Sequence, residues 1–144
     1  MTVSLPNAAE LLGSRRRILV TGGAGFIGGA VIRRLLNETD ALVFNLDKMG
    51  YASDLTSIEE VLAGLGSDQT ERHQLLKIDL ADTQAVRNAV QTADPDLVMH
   101  LAAESHVDRS IAGPGVFIES NVTGTYNLLQ AVREHHEGLS GERQ

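Results

Sequence analysis

Thr21-Gly22-Gly23-Ala24-Gly25-Phe26-Ile27-Gly28 follows a short apolar run, Ile18-Leu19-Val20, and opens onto a helical pattern ending in Arg33-Arg34-Leu35-Leu36. No other segment constrains the fold as strongly. Glycines at 22, 25 and 28 permit a sharp exit from a strand, close approach of backbone N–H groups to a pyrophosphate, and tight seating of the next helix on a sheet. The helix start then meets the anion with unpaired N–H groups and the positive end of its dipole. Three glycines near a strand also occur in structural turns, and Asp47 shifts the balance. It stands 19 residues beyond Gly28 and closes a second apolar run, Leu42-Val43-Phe44-Asn45-Leu46. A carboxylate there can accept both ribose hydroxyls of an adenine dinucleotide.

Short apolar runs alternate with 3.6-residue periodicity four times along the chain. This predicts an α/β fold, a Rossmann-like doubly wound parallel sheet with right-handed crossovers, truncated to about four strands. Strands are expected over 18–21, 41–46, 73–78 and 97–101, and helices over 25–37, 56–62, 82–91 and 116–136. Ile27, Val31 and Leu35 are expected on the buried face of the first helix, and Ala85, Val86, Ala89 and Val90 on that of the third. Asp82 reads as an N-cap and Asp94-Pro95-Asp96 as a turn. Ile118, Val122, Tyr126, Leu129 and Val132 form one stripe on the last helix, which needs a partner and predicts self-association. Residues 1–16 read as an N-terminal extension, 17–137 as a partial dinucleotide-binding domain and 138–144 as a tail.

Composition excludes several classes. A net charge of −7 with 12 Lys and Arg provides no basic face for general nucleic-acid binding. The absence of cysteine excludes disulfides and thiolate metal sites. No apolar run approaches the roughly 20 residues of a membrane span, and the expected location is cytoplasmic. Arg15-Arg16-Arg17 reads as a solvated lead-in to the first strand.

Asp79, after the third strand, is placed to accept from an adenine amine, although capping or solvation accounts for it equally simply. His100, inside an apolar strand, reads as a hydrogen-bonded core residue rather than a catalytic one. The polar segment Ala102-Ala103-Glu104-Ser105-His106-Val107-Asp108-Arg109-Ser110 leaves the strand beside which strand order reverses, so it is the best substrate-side candidate. His135 and His136 diverge by about 100° on a helix and read as a surface pair, not a metal site.

ILVTGGAGFIG, NLDKMGYASDL, KIDLAD, VMHLAAESHVDRS and FIESNVTGTYNLL, in this order, closely resemble the N-terminal half of the dTDP-glucose 4,6-dehydratases, which are extended short-chain dehydrogenase/reductases. The likeness runs from about Arg17 to His135. Sugar-nucleotide epimerases and decarboxylases share the glycine motif, whereas HLAAESHVDRS with DKMGYA points to the hexose dehydratases. The resemblance implies an NAD site: Gly22, Gly25, Phe26, Ile27 and Gly28 at the pyrophosphate, Asp47, Lys48, Met49 and Gly50 around the ribose, Asp79 and Leu80 beside adenine. Leu101, Ala102, Ala103, Glu104 and Ser105 would lie towards the nicotinamide, with Ser120 reaching the cofactor from the last helix. Ser105, His106, Asp108 and Arg109 would face a nucleotide sugar, dTDP-glucose in the family, and Asn121 would help to order the site. The carboxylate at 47 would repel a 2′-phosphate, favouring NAD over NADP.

Gly50 and Ser120 stand where the family usually has Thr, Leu80 where it has Ile and Gly29 where it has Ser. In this family NAD takes a hydride from C4 of the glucose, water leaves across C5 and C6, and the hydride returns at C6. The family's Tyr-x-x-x-Lys pair and Thr-Asp-Glu segment do the proton work. Here Tyr51 and Tyr126 are followed four residues later by Leu55 and Gln130. No catalytic residue is therefore assigned, and the isolated chain is expected to lack turnover. The alternatives are a related epimerase or decarboxylase portion, or a non-catalytic module that binds NAD or a protein.

Overall fold

The computed structural model describes residues 7–140. Four parallel strands, β1 (Arg17–Thr21), β2 (Leu42–Asp47), β3 (His73–Lys77) and β4 (Leu97–His100), form one sheet in the order β3-β2-β1-β4. Around it lie α1 (Ala8–Leu12), α2 (Phe26–Glu38), α3 (Thr56–Leu65), α4 (Thr83–Ala93), α5 (Val107–Ala112), α6 (Pro114–Ile118) and α7 (Thr125–Gly138). A 3-10 segment, Ser67–Arg72, leads into β3, and a π-helical turn, Glu119–Gly124, joins α6 to α7.

Alternation along the central strands builds two cores. Ile18, Val20 and Val43 pack with Ala8 and Leu12 of α1, Ile32, Leu35 and Leu36 of α2, and Ile58 of α3. Leu19, Phe44 and Leu46 face the other way, towards Val86, Ala89 and Val90 of α4 and Leu128 and Ala131 of α7. A sheet covered on both faces is apolar on both, which is why its central strands read as continuous hydrophobic runs. Strand order reverses between β1 and β4, so a crevice opens beyond their carboxyl ends.

Several details depart from the expectations. Within the expected extension, α1 starts with a capping box, Asn7 accepting from the Glu10 N–H at 2.9 Å and Glu10 from the Asn7 N–H at 3.3 Å, and buries Ala8 and Leu12. Residues 1–6 and 141–144 of the expected extension and tail lie outside the described residues. Arg17 is not solvated: its Nε donates to the Ala93 carbonyl at 2.7 Å at the end of α4, and its guanidinium lies 4.8 Å from the Phe44 ring centroid. A cation at a helix C-terminus satisfies orphan carbonyls and opposes the dipole. Helix α3 continues through Gly64 to Leu65 because Val61, Leu62 and Leu65 pack on the first core. Ile27 is 64% exposed, and the buried face of α2 is instead Gly28, Gly29, Ile32, Leu35 and Leu36.

The segment expected as a loop up to residue 115 contains α5 and the start of α6. Neither buries a residue, so no apolar stripe announced them, although Pro114 occupies a favoured first-turn position. Of the expected stripe, Ile118, Val122, Tyr126 and Leu129 are each more than half exposed, whereas Val132 packs against the second core. The buried side of the long helix consists of Ser120, Gly124, Asn127, Leu128 and Ala131.

Candidate dinucleotide site

Three hydrogen bonds tie the loop between β1 and α2 to the segments at and after the end of β2. Gly22 N–H donates to the Leu46 carbonyl at 2.8 Å, Ala24 N–H to Asp47 Oδ2 at 3.0 Å, and Asp54 N–H to the Ala24 carbonyl at 2.9 Å. Gly22 has φ of 70°, and a Cβ there would lie 2.6 Å from Ala102 N and Cα. A Cβ at position 28 would lie 2.1 Å from the Gly22 carbonyl oxygen. Only glycine lets the strand exit, the helix start and the end of β4 approach this closely. Gly25, the N-cap, offers no side chain to the first-turn N–H groups of α2, which lack intrahelical partners and remain available to an anion.

A cavity of about 500 Å³ opens in front of this loop. Gly22, Gly25, Phe26, Ile27 and Gly28 line it from the β1 side, and Leu46, Asp47, Lys48 and Gly50 from β2. Asp79 and Leu80 line it after β3, Leu101 to Ser105 after β4, and Ser120 from the π-helical turn. Every residue assigned to the cofactor except Met49 therefore reaches one cavity wall. Met49 adopts a left-handed conformation, φ 57°, and contributes to the site through its backbone: its N–H donates to Asp47 Oδ1 at 2.8 Å. Tyr51, Ala52, Ser53 and Ile78 also line the cavity and were not singled out from the sequence. Tyr51 to Ser53 stand inside the NLDKMGYASDL segment, but only the fold shows that the loop curls back over Asp47.

Asp47 is buried, and its carboxylate is already engaged. Besides Ala24 and Met49 N–H it accepts from Ser53 Oγ at 2.9 Å. A carboxylate has about four acceptor positions. One is left, so the expected pairing with both ribose hydroxyls would require a protein donor to let go. The same residue thus clamps the glycine loop and faces the cavity. Asp79 also combines the two readings left open for it: Oδ1 accepts from Ala81 N–H at 3.0 Å while the residue lines the cavity.

Lys48 Nζ reaches Glu104 Oε1 at 2.6 Å, linking the segments after β2 and β4 along the cavity wall. This hydrogen bond to Glu104, only partly opposed by burial, raises the Lys48 pKa above its usual value. The opposite wall is gripped from α7 and from the π-helical turn before it. Asn127 Nδ2 donates to the Leu80 carbonyl at 2.9 Å, and a Cβ on Gly124 would lie 2.8 Å from Leu80 Cβ.

Of the substrate-side candidates, Ser105 lines the cavity. His106, Asp108 and Arg109 do not: they open α5 as an exposed rim beside it. The Arg109 guanidinium stacks 3.5 Å from the Tyr51 ring centroid, and the His106 ring approaches that ring edge-on at 6.5 Å. His136 is exposed and His135 is partly buried, its Nε2 lying 3.4 Å from Asp94 Oδ1. Among the described residues no group of three His, Cys, Asp or Glu side chains is placed to hold a metal ion. No helix among them is long and apolar enough to cross a membrane.

A family model described as GDP-mannose 4,6 dehydratase matches residues 19–142. The chain belongs to this dehydratase family. A dTDP-glucose 4,6-dehydratase of Escherichia coli is 48% identical over 127 residues, covering 88% of this chain and 33% of that protein. The solved dTDP-glucose 4,6-dehydratase of Streptomyces venezuelae, with NAD bound, matches at a TM-score of 0.70 and 38% identity over 83% of this chain and 36% of its own. The UDP-Glc/GlcNAc 4-epimerase of Campylobacter jejuni matches at a TM-score of 0.71 and 28% identity, over 83% and 34%. The chain spans about a third of the length of these relatives.

In this member of the dehydratase family, His100 is hydrogen-bonded at both ring nitrogens, to Thr21 Oγ1 at 2.6 Å and Thr125 Oγ1 at 2.9 Å. Burial lowers its pKa, and that of His73, from the ordinary 6.5. Each stays neutral in the folded chain where the unfolded chain already takes up a proton. Stability is therefore expected to fall as pH drops below about 6.5, levelling off once the folded histidines protonate. Glu38 and Asp54, held low by the backbone N–H groups of Ala8 and Thr56, titrate below that window. Thermal midpoints between about pH 7.5 and 5.5 check this, and a rise on acidification would contradict it.

Proposed function

We propose that the chain is the NAD-binding portion of a dTDP-glucose 4,6-dehydratase-type enzyme. One observation carries the reading: a cavity beyond the carboxyl ends of a parallel sheet whose glycine wall would be filled by a Cβ at 22 or 28 and whose next strand ends in a buried carboxylate. These residues fit a dinucleotide. The glycine loop and the first turn of α2 would hold its pyrophosphate, Asp47 a ribose hydroxyl, Asp79 the adenine amine, and Leu101 to Ser105 the nicotinamide side. When bound, NAD would supply a hydride acceptor and donor for the sugar. Ser105 and the rim of His106, Asp108 and Arg109 would face the nucleotide sugar, with Arg109 supplying positive charge for its phosphates.

Calorimetric titration with NAD and with NADP tests this. NAD is expected to bind and NADP to bind more weakly, because the carboxylate at 47 repels a 2′-phosphate; no heat at millimolar NAD would refute the reading. Proton transfer needs groups within hydrogen-bond reach of the reacting atoms. No Tyr-x-x-x-Lys pair occurs in these 144 residues, so we infer that they do not turn over dTDP-glucose unaided, and appearance of a 4-keto-6-deoxy sugar would contradict that.

The exposed face formed by Ile118, Val122, Tyr126 and Leu129 supports pairing of two copies through α7. Sedimentation is expected to show a dimer that Val122→Glu with Leu129→Glu dissociates. A wild-type monomer at all concentrations would dismiss this pairing.

A further inference from the structure

The protons around His100 can be assigned from their partners alone. Thr125 Oγ1 lies 2.7 Å from the Asn121 carbonyl, which can only accept, so the single Thr125 hydroxyl proton points there. At 2.9 Å from the same oxygen, His100 Nε2 must then be the donor. A neutral imidazole protonated at Nε2 has a bare Nδ1, which accepts the Thr21 hydroxyl proton at 2.6 Å. That leaves the Thr21 hydroxyl oxygen free to accept Ala102 N–H at 3.3 Å and to share Leu101 N–H, at 3.2 Å, with the Thr21 backbone carbonyl, which takes it at 3.1 Å. At the other end, the Thr125 hydroxyl satisfies a carbonyl inside the π-helical turn, where the regular helical ladder is displaced. Asn121, held by that bond, closes a two-bond clamp: Glu104 N–H donates to its Oδ1 at 2.8 Å, and its Nδ2 donates to the Glu104 carbonyl at 2.8 Å.

We propose that His100 is a positioning residue for the cavity, held as the Nε2–H tautomer so that Thr21 and Thr125 together fix both ends of the wall from Leu101 to Glu104. Reversing the imidazole tautomer would leave a bare Nε2 facing the Thr125 oxygen, two acceptors with no proton between them, and would deprive the Thr21 hydroxyl proton of its acceptor. The relay couples β1, β4 and the π-helical turn, three elements far apart in sequence, at the strand-order reversal. It acts on the wall whether or not a ligand is present. Its effect on NAD rests on the function proposed above.

Nitrogen-15 NMR of the full chain is expected to show His100 with a protonated Nε2 and an unprotonated Nδ1 at neutral pH. Thr125→Val, which keeps the shape and removes the hydroxyl, is expected to speed hydrogen exchange at the Glu104 amide and to weaken NAD about tenfold, while Thr125→Ser restores both. A protonated Nδ1 in the wild type overturns the proposal, as does a Thr125→Val chain with unchanged Glu104 exchange. So does failure of Thr125→Ser to restore that exchange, because the methyl rather than the hydroxyl would then be responsible. If the wild type does not bind NAD, the proposed function fails while tautomer and exchange still decide the relay.

Discussion

Gly22→Ala is expected to abolish dinucleotide binding and to lower stability by about 3 kcal/mol, a fall of about 10 °C in thermal midpoint. Two costs combine at this position. The backbone is at φ 70°, where a Cβ is strained, and that Cβ would meet Ala102 N and Cα at 2.6 Å. Backbone atoms cannot rotate aside, so β1 and β4 must separate at the point where the cavity begins. Gly64→Ala is the control. Its Cβ meets nothing within 4 Å and its site is helical, so it is expected to stabilise the chain by about 0.5–1 kcal/mol. Thermal melts of both variants, with an NAD titration of each, check the pair. Equal midpoints for the two would show that the close approach of β1 and β4 is not what demands glycine at 22.

Asp47→Asn is expected to cost about 2–3 kcal/mol of stability and most of the NAD affinity. The carboxylate accepts from Ala24 N–H, Met49 N–H and Ser53 Oγ. An amide of the same shape has only one accepting oxygen. Whichever way it turns, its NH₂ faces at least one backbone N–H, leaving a buried donor unpaired beside another donor. The loss should therefore appear in the ligand-free chain as well as in binding. A variant with native stability and selectively lost NAD binding would show that Asp47 serves the ligand alone; chemical denaturation beside calorimetry separates the two outcomes.

Asp47 also shows how far the sequence could be read. Its distance from Gly28 and its place at the end of an apolar run are local facts, and they located it at the cavity. Its engagement with Ala24 and Ser53 is not local, because the 47–54 loop must fold back before those donors arrive. His100 behaves in the same way. An isolated polar residue in an apolar strand predicts hydrogen bonding, but Thr21 and Thr125 lie 79 and 25 residues away. The stripe Ile118, Val122, Tyr126, Leu129 and Val132 was legible as periodicity, yet periodicity does not say which residues are buried, and only Val132 packs on the core. Which face is buried depends on what α4 and the loop after β3 present to the helix. Here Gly124 and Asn127 fit against Leu80 and Leu128 enters the second core, while Ile118, Val122, Tyr126 and Leu129 stay outside.

By itself the sequence determined the alternation of strand and helix, the parallel α/β class, the glycine turn and the residues after each strand that reach the cavity. The first three follow from chain periodicity and backbone sterics, which act over a few residues, whereas most of the residues after the strands came from the resemblance to the dehydratases. Tertiary structure alone decided the three-donor clamp on Asp47, the proton directions around His100, the place of Arg17 at the end of α4 and the exposure of Tyr126 and Leu129. Each depends on donors, acceptors or surfaces brought together across the sheet, where distance along the chain carries no information about distance in space.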